Sequence, residues 1–481
     1  MVTEQLRREL TEVLGPAGVI SEHLQLRTYE CDGLAGYRVV PGLVVLPTTT
    51  EQVSAVVRAC ARAGVPFVAR GAGSGLSGGA LPVSDGVLVV MARMRRILDV
   101  DVDNQRITVE PGVTNAEITQ AVAQHDLYYA PDPSSQVVCT IGGNVAENSG
   151  GVHCLKYGFT TNHVLGMTVV LPDGEVVDFG GQAHDMPGYD LRGLMIGSEG
   201  TLGIATAVTV RVLRVPEAVQ TCIAYFDSPR EAGDAVTAIT GAGIIPSGME
   251  MMDNLAMQAC EKDTGVGLEL DAGAALFLEV DGPESEVEHD FERLLALCDK
   301  TGATGVRVAE DDEERALIWK GRKAAFAAMG RLAPDYFVQD GVIPRTRLGE
   351  VLERIGELSE QTGFRVANVF HAGDGNLHPL VLYDKGQDEE AEQVASRILE
   401  MCVEAGGSIT GEHGVGADKV CSMPTMFGEE DLAVMNRVRA AFDPEGLCNP
   451  GKVMPTPRLC GEKAGKYRPH ALEEAGLVER L

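Results

Sequence analysis

Three glycine-rich segments in the first half of the sequence limit its fold more than any other feature. They occupy residues 71–79, 140–151 and 197–203. Glycine has no side chain, so a cluster of glycines lets the backbone lie directly against a ligand. One such segment alone could be a loop that only tolerates unusual dihedral angles, but three of them disfavour that interpretation. We therefore expect these segments to bind a ligand.

The first segment contains the pattern G-x-G-x-x-G from Gly73 to Gly78, which is typical of dinucleotide-binding Rossmann folds. In a Rossmann fold the glycine loop follows the first strand and opens a helix whose N-terminus binds the pyrophosphate. Here the loop follows the second of two predicted strands, residues 43–47 and 65–70, and a third strand over 87–91 comes next. The sequence therefore argues against an NAD-binding Rossmann fold, although consecutive backbone N–H groups can still bind a pyrophosphate.

The rest of the chain alternates between strands and helices. In the first half, a capping box from Thr48 to Glu51 starts a predicted helix that Gly64 ends, and a hairpin is predicted around Asp103. In the second half, the predicted strands cover residues 221–226, 274–280, 367–371 and 379–383, and the predicted helices cover residues 230–240, 284–301, 311–332, 348–363 and 389–405. Both halves are therefore predicted to be α+β.

Composition excludes several classes of function. Hydrophobic residues make up 44% and charged residues 23%, which is the balance of a soluble globular protein. The formal net charge of −30 disfavours binding to nucleic acid or anionic lipid. No stretch of about 20 apolar residues predicts a transmembrane helix, and no signal-peptide core is present. With 11 cysteines and no C-x-x-C pair, we expect a cytoplasmic protein with reduced thiols that reaches a membrane only through a partner subunit.

Two histidines, His371 and His378, flank a predicted turn at Asp374 and Gly375. If these two turn residues form a two-residue hairpin loop, the histidines lie directly opposite each other, with Cβ atoms about 5 Å apart. Glu412 is a candidate third ligand, and two imidazoles with one carboxylate suit Zn²⁺, Mn²⁺ or Fe²⁺. The H-x₆-H spacing alone favours the alternative, in which the histidines only form hydrogen bonds.

Several motifs together resemble a known group of flavoproteins. They are residues 47–53 (P-T-T-T-E-Q-V), 70–75 (R-G-A-G-S-G), 140–144 (T-I-G-G-N), 148–151 (N-S-G-G) and 200–203 (G-T-L-G). In order and spacing they are similar to the FAD-binding half of the vanillyl-alcohol-oxidase-type flavoproteins. With the C-terminal motifs, the chain resembles the FAD-linked 2-hydroxyacid dehydrogenases, the family of glycolate oxidase D subunits and D-lactate dehydrogenases, from residue 38 to residue 454.

The resemblance implies a fold and a division into domains. It implies an α+β protein with a two-part FAD-binding domain of the vanillyl-alcohol-oxidase type, followed by an α+β substrate (cap) domain with an antiparallel sheet. The expected parts are an N-terminal helical segment (1–37), the FAD-binding domain (38–216), the substrate and metal domain (217–440), a C-terminal return to the flavin (441–456) and a tail (457–481).

The resemblance also implies which residues contact FAD. Carried over position by position, they are Pro47, Arg70, Gly71, Gly73, Ser74, Gly75, Leu76, Ser77, Asp132, Pro133, Ser134, Thr140, Gly142, Gly143, Asn144, Asn148, Ser149, Gly150, Gly151, Tyr157, Gly158, Gly200, Gly203, Ile204 and Asn449. Some relatives attach FAD covalently through a histidine in the first loop. That loop contains no histidine here, so we expect non-covalent FAD.

The expected reaction assigns roles to five further residues. Oxidation of a 2-hydroxyacid requires that the hydroxyl group loses a proton while a hydride leaves the α-carbon for the flavin. A metal ion held by His371, His378 and Glu412 would acidify the hydroxyl group, and His413 is the predicted general base. By the resemblance, Arg322 would bind the substrate carboxylate. A solvated helix face is the alternative for that arginine.

Two positions depart from the relatives that oxidise D-2-hydroxyglutarate. Those relatives carry lysine and asparagine where this sequence has Val338 and Leu380. A second carboxylate would have no partner there, so an apolar pocket is expected to prefer glycolate or D-lactate. Electrons are expected to pass to an acceptor other than NAD, through a second flavin subunit and an iron–sulfur subunit or through an electron-transfer flavoprotein. The alternatives are a D-2-hydroxyglutarate dehydrogenase and a non-catalytic FAD-binding electron-transfer subunit.

Overall fold

The computed structural model describes residues 2–34, 36–182 and 187–455. The strands are β1 (Val19–Ile20), β2 (Leu43–Val45), β3 (Phe67–Arg70), β4 (Val87–Val90), β5 (Ile97–Asp101), β6 (Arg106–Val109), β7 (Leu127–Tyr128), β8 (Val164–Val170), β9 (Val176–Gly180), β10 (Ile204–Arg211), β11 (Leu213–Arg214), β12 (Ala218–Phe226), β13 (Gly248–Asp253), β14 (Ala274–Gly282), β15 (Gly305–Val308), β16 (Asp335–Val338), β17 (Gly341–Val342), β18 (Arg365–His371), β19 (Asn376–Leu377) and β20 (Pro379–Tyr383).

The α-helices are α1 (Glu4–Leu14), α2 (His23–Leu26), α3 (Thr50–Ala63), α4 (Asn115–Val122), α5 (Ile141–Glu147), α6 (Cys154–Tyr157), α7 (Leu191–Met195), α8 (Pro229–Gly241), α9 (Asn254–Thr264), α10 (Glu284–Lys300), α11 (Asp312–Lys323), α12 (Ala325–Met329), α13 (Leu348–Thr362), α14 (Asp388–Glu404), α15 (Met423–Met426) and α16 (Glu429–Phe442). Within the described residues, none of these helices has the length and apolar character that a membrane crossing requires.

The first sheet carries the glycine loop of residues 71–79. Its strands lie in the order β1-β2-β4-β3, with β2, β4 and β3 parallel and β1 antiparallel at one edge. The loop follows β3 and leads to β4 without an intervening helix, so it is not the first turn of a Rossmann fold. The N-terminal segment was predicted to be helical, but it also contains a short strand, because its β-branched Val19 and Ile20 pair with β2.

Helix α3 covers one face of this sheet and starts one residue later than predicted. Thr49 is the N-cap instead of Thr48, and its side chain accepts a hydrogen bond from the Gln52 N–H. The Gln52 side chain accepts in turn from the Thr48 N–H at 2.8 Å, which is the role predicted for Glu51. Gly64, with φ of +61°, ends the helix as predicted.

The second sheet is antiparallel, with the order β5-β6-β10-β8-β9. The predicted hairpin around Asp103 joins β5 to β6. Strand β10 alternates between buried and partly buried residues, so one face of the sheet belongs to the core. Ile118 of α4 and Ile141 of α5 pack in the same apolar cluster as this face. This packing places α5, which contains the second glycine segment, next to the sheet.

The third sheet contains nine antiparallel strands, as the prediction of an antiparallel sheet in the second half required. Its main order is β15-β12-β14-β13-β18-β19-β17, and β20 pairs with both β18 and β16. The predicted helix over 311–332 is divided into α11 and α12 at Ala324. Strand β13 and helix α9 were not predicted. In β13, the methionine-rich, wholly buried residues show neither alternation nor β-branched side chains.

The hairpin that carries the two histidines differs in register from the prediction. His371 pairs with Asn376, so the turn contains four residues, 372–375, instead of two. The turn is longer because the Gly373 N–H donates to a carbonyl group of β13 instead of across the hairpin. His378 is therefore diagonal to His371. A shift of two residues keeps both side chains on one face, and their ring centroids lie 5.2 Å apart.

The C-terminal part of the described chain returns to the first sheet. The Phe67 N–H of β3 donates to the Leu447 carbonyl oxygen at 2.9 Å, and the Asn449 N–H donates to the Phe67 carbonyl oxygen at 2.8 Å. The last residue of the predicted return, 456, and the whole predicted tail, 457–481, lie outside the described residues.

We expect Gly375→Ala to disrupt the histidine hairpin. Gly375 has φ of +80°, and an added Cβ would collide with the Ile343 carbonyl oxygen. A left-handed conformation costs a non-glycine residue about 1 kcal/mol, and the forced contact adds about 1–3 kcal/mol. Gly386→Ala is the matched control, since Gly386 has φ of +89° in open space. Denaturant unfolding should show the larger loss of unfolding free energy for Gly375→Ala; equal losses would mean that the contact with Ile343 costs nothing.

Candidate active site

A cavity of about 430 Å³ lies between the glycine-rich segments and the nine-stranded sheet. All three glycine-rich segments line it. From the second half of the chain, the lining includes Phe326, His371, Glu412 and His413. The predicted ligand segments therefore share one cavity with His413, the predicted base, and with two of the predicted metal ligands, His371 and Glu412.

Arg70 supports the first glycine loop from behind. Its guanidinium donates to the Ala80 carbonyl oxygen at 2.8 Å, which connects the residue after the loop to the residue before it. It also donates to the Tyr29 carbonyl oxygen at 3.2 Å. The Ser77 carbonyl oxygen accepts from the Ala417 N–H at 2.9 Å. The loop is thus fastened to the segment that follows His413 along the chain.

The second glycine-rich segment begins helix α5, which was not predicted from the sequence. Thr140 is the N-cap, and its side chain accepts from the Gly143 N–H. At Gly142 an added Cβ would lie 2.6 Å from the Pro111 side chain, so the close approach requires glycine. Because glycine is a poor helix former, two glycines in the first turn concealed the helix. Both glycines line the cavity, where the helix N-terminus favours an anionic ligand.

The lining fits a cofactor that carries a pyrophosphate. At Gly75, Gly143 and Gly200, an added Cβ would meet no atom closer than 3.5 Å, so the missing side chains leave free volume. The buried Asn144 Nδ2 has no hydrogen-bond partner among the residues that the structure describes. Free volume, an unused donor and a helix N-terminus on one wall suit the phosphates of a dinucleotide such as FAD.

Most of the predicted cofactor residues line the cavity. These are Arg70, Gly71, Gly73, Ser74, Gly75, Leu76, Pro133, Ser134, Thr140, Gly142, Gly143, Asn144, Ser149, Gly200, Gly203 and Ile204. The remaining predicted residues lie outside the lining: Pro47, Ser77, Asp132, Asn148, Gly150, Gly151, Tyr157, Gly158 and Asn449. Direct contact of this second group with the cofactor stays a prediction.

Some residues of the second group support the cavity through internal contacts. The Asn449 Nδ2 donates to the carbonyl oxygens of Gly79 (2.9 Å) and Glu199 (2.6 Å), so it joins the first glycine-rich segment to the third. The Tyr157 hydroxyl donates to the Asp281 carboxylate at 2.8 Å, which joins the two halves of the chain.

The three predicted metal ligands come together, and two of them, His371 and Glu412, line the cavity. The Nε2 atoms of His371 and His378 lie 3.1 Å and 3.0 Å from the same oxygen of Glu412. The ligand atoms of all three residues lie within 4.8 Å of one another. Two imidazole nitrogens and one carboxylate, facing each other at this distance, are a donor set that fits a divalent cation.

Each imidazole of this site is oriented by an acceptor behind it. The His371 Nδ1 lies 2.6 Å from Glu250 Oε1, and the His378 Nδ1 lies 3.2 Å from the Gln339 carbonyl oxygen. When Nδ1–H donates to these acceptors, Nε2 carries a lone pair toward Glu412. Metal-binding histidines are commonly fixed in this way.

Arg322 is buried against Glu250 and does not lie on a solvated helix face. Its Nη2 lies 2.5 Å from Glu250 Oε2. Arg322 is not among the residues that line the cavity, and the contact that the structure shows is this ion pair. Arg322, Glu250 and His371 thus form a buried row behind the metal ligands. Contact of Arg322 with a substrate carboxylate stays a prediction.

His413, the predicted base, lines the cavity and stacks on His378, with ring centroids 4.8 Å apart. Burial lowers the pKa of His413 to about 4. The imidazole is therefore neutral at pH 7 and can accept a proton.

Asp340 anchors the loop that carries Glu412 and His413. Its carboxylate accepts from the N–H groups of residues 411–413 at 2.9–3.2 Å and from Lys419 Nζ at 3.1 Å. Burial alone would raise the pKa of Asp340, but Lys419 and its other positive neighbours hold it far below its usual range. Asp340, His378 and His413 are also close enough to share an ion, but these donors already occupy the Asp340 oxygens.

Glu250, Asp340 and Lys419 were not predicted from the sequence. A signal for Glu250 was present, since it is an isolated carboxylate in the apolar run M-E-M-M and such a group must be paired when it is buried. Lys419 had no local signal, because its partner lies 79 residues away along the chain.

Val338 and Leu380, the two departures from the D-2-hydroxyglutarate enzymes, are cross-strand neighbours in β16 and β20. Both pack in one apolar cluster, and neither lines the cavity. The expectation that these residues line an apolar substrate pocket is therefore wrong for this cavity.

We expect Asp340→Asn and Lys419→Met to differ in their effect on stability. Asp340→Asn leaves the Lys419 ammonium buried without its carboxylate, and breaking a buried pair in this way costs about 3–5 kcal/mol. Lys419→Met leaves Asp340 with its donors from residues 411–413, so the loss should be smaller by about 2 kcal/mol. The double variant should recover part of the loss of Asp340→Asn. Equal losses for the two single variants in denaturant unfolding would show that these backbone donors do not compensate Asp340.

Comparison with protein families identifies both halves of the chain. A family model described as "FAD binding domain" matches residues 41–180, and one described as "FAD linked oxidases, C-terminal domain" matches residues 215–453. The chain is 53% identical over 445 residues to glycolate oxidase subunit GlcD of Escherichia coli (strain K12), covering 92% of this chain and 89% of that protein. It is 32% identical to D-lactate dehydrogenase of Anaerostipes hadrus, covering 94% and 98%.

The fold also agrees with a solved structure. The 4-ethylphenol oxidase from Gulosibacter chungangensis superposes with a TM-score of 0.74 at 21% identity, covering 95% of this chain and 98% of that one. This likeness concerns the fold alone. The protein therefore belongs to the FAD-linked oxidase family, has an FAD-binding domain of the vanillyl-alcohol-oxidase type, and is an FAD-dependent oxidoreductase.

Proposed function

We propose that this protein oxidises a small 2-hydroxyacid, glycolate or D-lactate, to the 2-oxoacid with non-covalent FAD and a divalent metal ion. The observation that carries the proposal is the convergence of His371, His378 and Glu412 beside neutral His413, at a place where His371, Glu412 and His413 line the FAD cavity. Relatives named glycolate oxidase subunit GlcD and D-lactate dehydrogenase support this class of substrate.

The residues divide the chemistry between them. FAD supplies a hydride acceptor for the α-carbon, and a metal ion on the three ligands supplies a positive charge next to the substrate hydroxyl. The His413 Nε2 lies 3.8 Å from Glu412 Oε1, so it stands beside the metal ligands and is the proposed acceptor of the hydroxyl proton. Phe326 lines the cavity and packs edge-on against His378, which shields this corner from water.

The metal is Zn²⁺, Mn²⁺ or Fe²⁺ in this proposal, since each of these ions accepts imidazole and carboxylate ligands. The substrate carboxylate would be bound by Arg322. Its Nη2 is engaged by Glu250 in the ion pair, whereas its buried Nε makes no hydrogen bond to the described residues and is the donor left for a substrate carboxylate. The Glu250 carboxylate beside it keeps the guanidinium charge compensated while the site is empty of substrate.

Non-covalent attachment of FAD is supported by the surroundings of the cavity. Residues 71–79 contain no histidine. His153, the histidine that follows the second glycine-rich segment, lies 3.0 Å from Asp132 and 3.3 Å from Glu279. These two carboxylates engage both of its ring nitrogens.

The electron acceptor is proposed to be a partner, either a second flavin subunit with an iron–sulfur subunit or an electron-transfer flavoprotein. The relative GlcD is named as a subunit of glycolate oxidase, which supports a multi-subunit assembly. A cytoplasmic location, with membrane association only through such a partner, belongs to the same proposal.

The two alternatives are disfavoured by particular residues. A non-catalytic FAD-binding subunit would not need a neutral His413 beside a complete set of metal ligands. A D-2-hydroxyglutarate dehydrogenase is disfavoured by the sequence alone: Val338 and Leu380 stand where those relatives carry lysine and asparagine, although neither residue lines the cavity.

Anaerobic spectra test the reaction directly. Glycolate or D-lactate should bleach the oxidised-flavin absorbance of the FAD-loaded protein, a chelator should prevent this, and added metal should restore it. His413→Gln should slow the bleaching by about 10²–10⁴-fold, because the proton acceptor is lost. Faster reduction by D-2-hydroxyglutarate than by glycolate and D-lactate would refute the proposed substrate. Absence of reduction by any 2-hydroxyacid would favour the non-catalytic alternative.

Metal affinity tests the hydrogen bond between Glu250 and His371. Glu250→Gln should weaken binding of Zn²⁺ or Mn²⁺ by about 10–100-fold. The Glu250 carboxylate fixes the orientation of the His371 imidazole and raises its basicity, and the variant loses both effects. Calorimetric titration of the metal-free protein measures this. The change also leaves Arg322 without its charge partner, so Glu250→Gln with Arg322→Met provides a charge-balanced second variant. The exposed Glu286→Gln is the control. Unchanged affinity in both Glu250 variants would remove Glu250 from the metal site.

A further inference from the structure

Two glutamates that the proposed reaction does not use, Glu147 and Glu199, meet between the cavity and the loop that carries His413. Glu147 ends α5, Glu199 lies in the third glycine-rich segment, and both line the cavity. An added Cβ at Gly414 would lie under 3.0 Å from a carboxylate oxygen of each glutamate. The two carboxyl groups are therefore neighbours, packed against the backbone of Gly414.

Their hydrogen bonds are unequal. The two oxygens of Glu199 accept from the N–H groups of Val415 and Gly416, each at 2.6 Å. The Glu147 Oε2 is buried and has no hydrogen-bond partner within the described ranges. Donors stabilise the ionised form of a carboxyl group, and two adjacent buried carboxylates disfavour each other's charge. The hydrogen bonds therefore favour the ion on Glu199 and the proton on Glu147.

The charged groups around the pair point the same way. Asp32, Asp340, Lys419 and Lys452 face the two glutamates, and Arg70 lies beside Asp32. Lys419 is already hydrogen bonded to Asp340 at 3.1 Å. Ionisation of both glutamates would thus place more negative than positive charge in the protein interior. In accord with this, burial raises the pKa of Glu147 well above its usual range and that of Glu199 to about 7.

We propose that Glu147 and Glu199 form a proton-binding site that holds one proton while FAD is oxidised and takes up a second when FAD is reduced. Glu147 holds the first proton, and Glu199 takes up the second. Oxidation of the 2-hydroxyacid sends a hydride to FAD and a proton from the hydroxyl group to the protein. The added hydride makes the cofactor one unit more negative, and a proton on Glu199 compensates that charge in the same cavity. The proton leaves again when the electrons pass to the acceptor.

This inference rests on the proposed function only for the source of the electrons, so the test supplies electrons from an electrode. FAD-loaded protein is reduced without substrate at about pH 8, where Glu199 is mostly ionised in the oxidised state. Proton uptake is read from an indicator dye in weak buffer. The wild type should take up two protons for each two electrons, one to FAD and one to Glu199.

The variants separate the two glutamates. Glu199→Gln should take up one proton, while Glu147→Gln, which imitates a protonated Glu147, should still take up two. The exposed Glu175→Gln in the same half of the chain is the matched control and should also take up two. Uptake of a single proton by the wild type, or of two by Glu199→Gln, would overturn the proposal.

An infrared measurement covers the case in which Glu199→Gln does not fold. The reduced-minus-oxidised spectrum of the wild type and of Glu147→Gln should gain a carboxylic-acid carbonyl band that shifts when glutamate is isotopically labelled. Absence of this band in both would refute the assignment to Glu199. Normal proton uptake without reduction by glycolate or D-lactate would count against the proposed substrate alone, because the electrode result does not depend on it.

Discussion

The loop of residues 410–416 holds a proposed metal ligand and the proposed base, and its shape depends on two buried carboxylates. Asp340 accepts from the N–H groups of residues 411–413, and Glu199 accepts from those of Val415 and Gly416. A buried N–H group without an acceptor costs about 1–3 kcal/mol, and within this loop only the Gly414 N–H is satisfied locally, by the Thr410 side chain, among the hydrogen bonds described. Since one carboxylate comes from each half of the chain, we expect this loop to adopt its shape only when both halves are in place.

Two further buried carboxylates each contact several partners, and one of them, Glu279, joins the two halves of the chain. Glu250 lies between Arg322 and His371, so a single carboxylate compensates a guanidinium and orients an imidazole. Glu279 on β14 contacts His153 of the first half at 3.3 Å. Burial alone would raise the pKa of Glu279, but the hydrogen bond from His153 and the other positive and polar neighbours lower it to about 2. Removal of one member of such a pair is costly because its partner stays buried.

The sequence predicted the parts of the site that depend on side-chain type and on which face of a strand a residue occupies. It missed the parts that depend on contacts between residues far apart in the chain. His371 and His378 were predicted to share a face, and they do, although the predicted register was wrong by two residues. The register depends on a hydrogen bond from Gly373 to β13, a strand that local periodicity did not reveal. Helix α5 was not predicted because it contains two glycines, which are poor helix formers. Gly142 allows the backbone to lie close to Pro111, and both glycines line the cavity. Arg322 was assigned from a motif, and its pairing with Glu250 could not be read from local sequence.

The site must also overcome the charge of the whole protein. A formal net charge of −30 repels an anionic substrate. Two neutral imidazoles and the single carboxylate of Glu412 would leave a bound divalent ion with one uncompensated positive charge, whereas three carboxylates would make the centre negative. The surface charges act at longer range and are screened beyond about 8–10 Å at physiological ionic strength. In the proposed site, a cation on the His–His–Glu ligand set would therefore add to Arg322 a local attraction for the substrate carboxylate, which offsets the repulsion from the acidic surface.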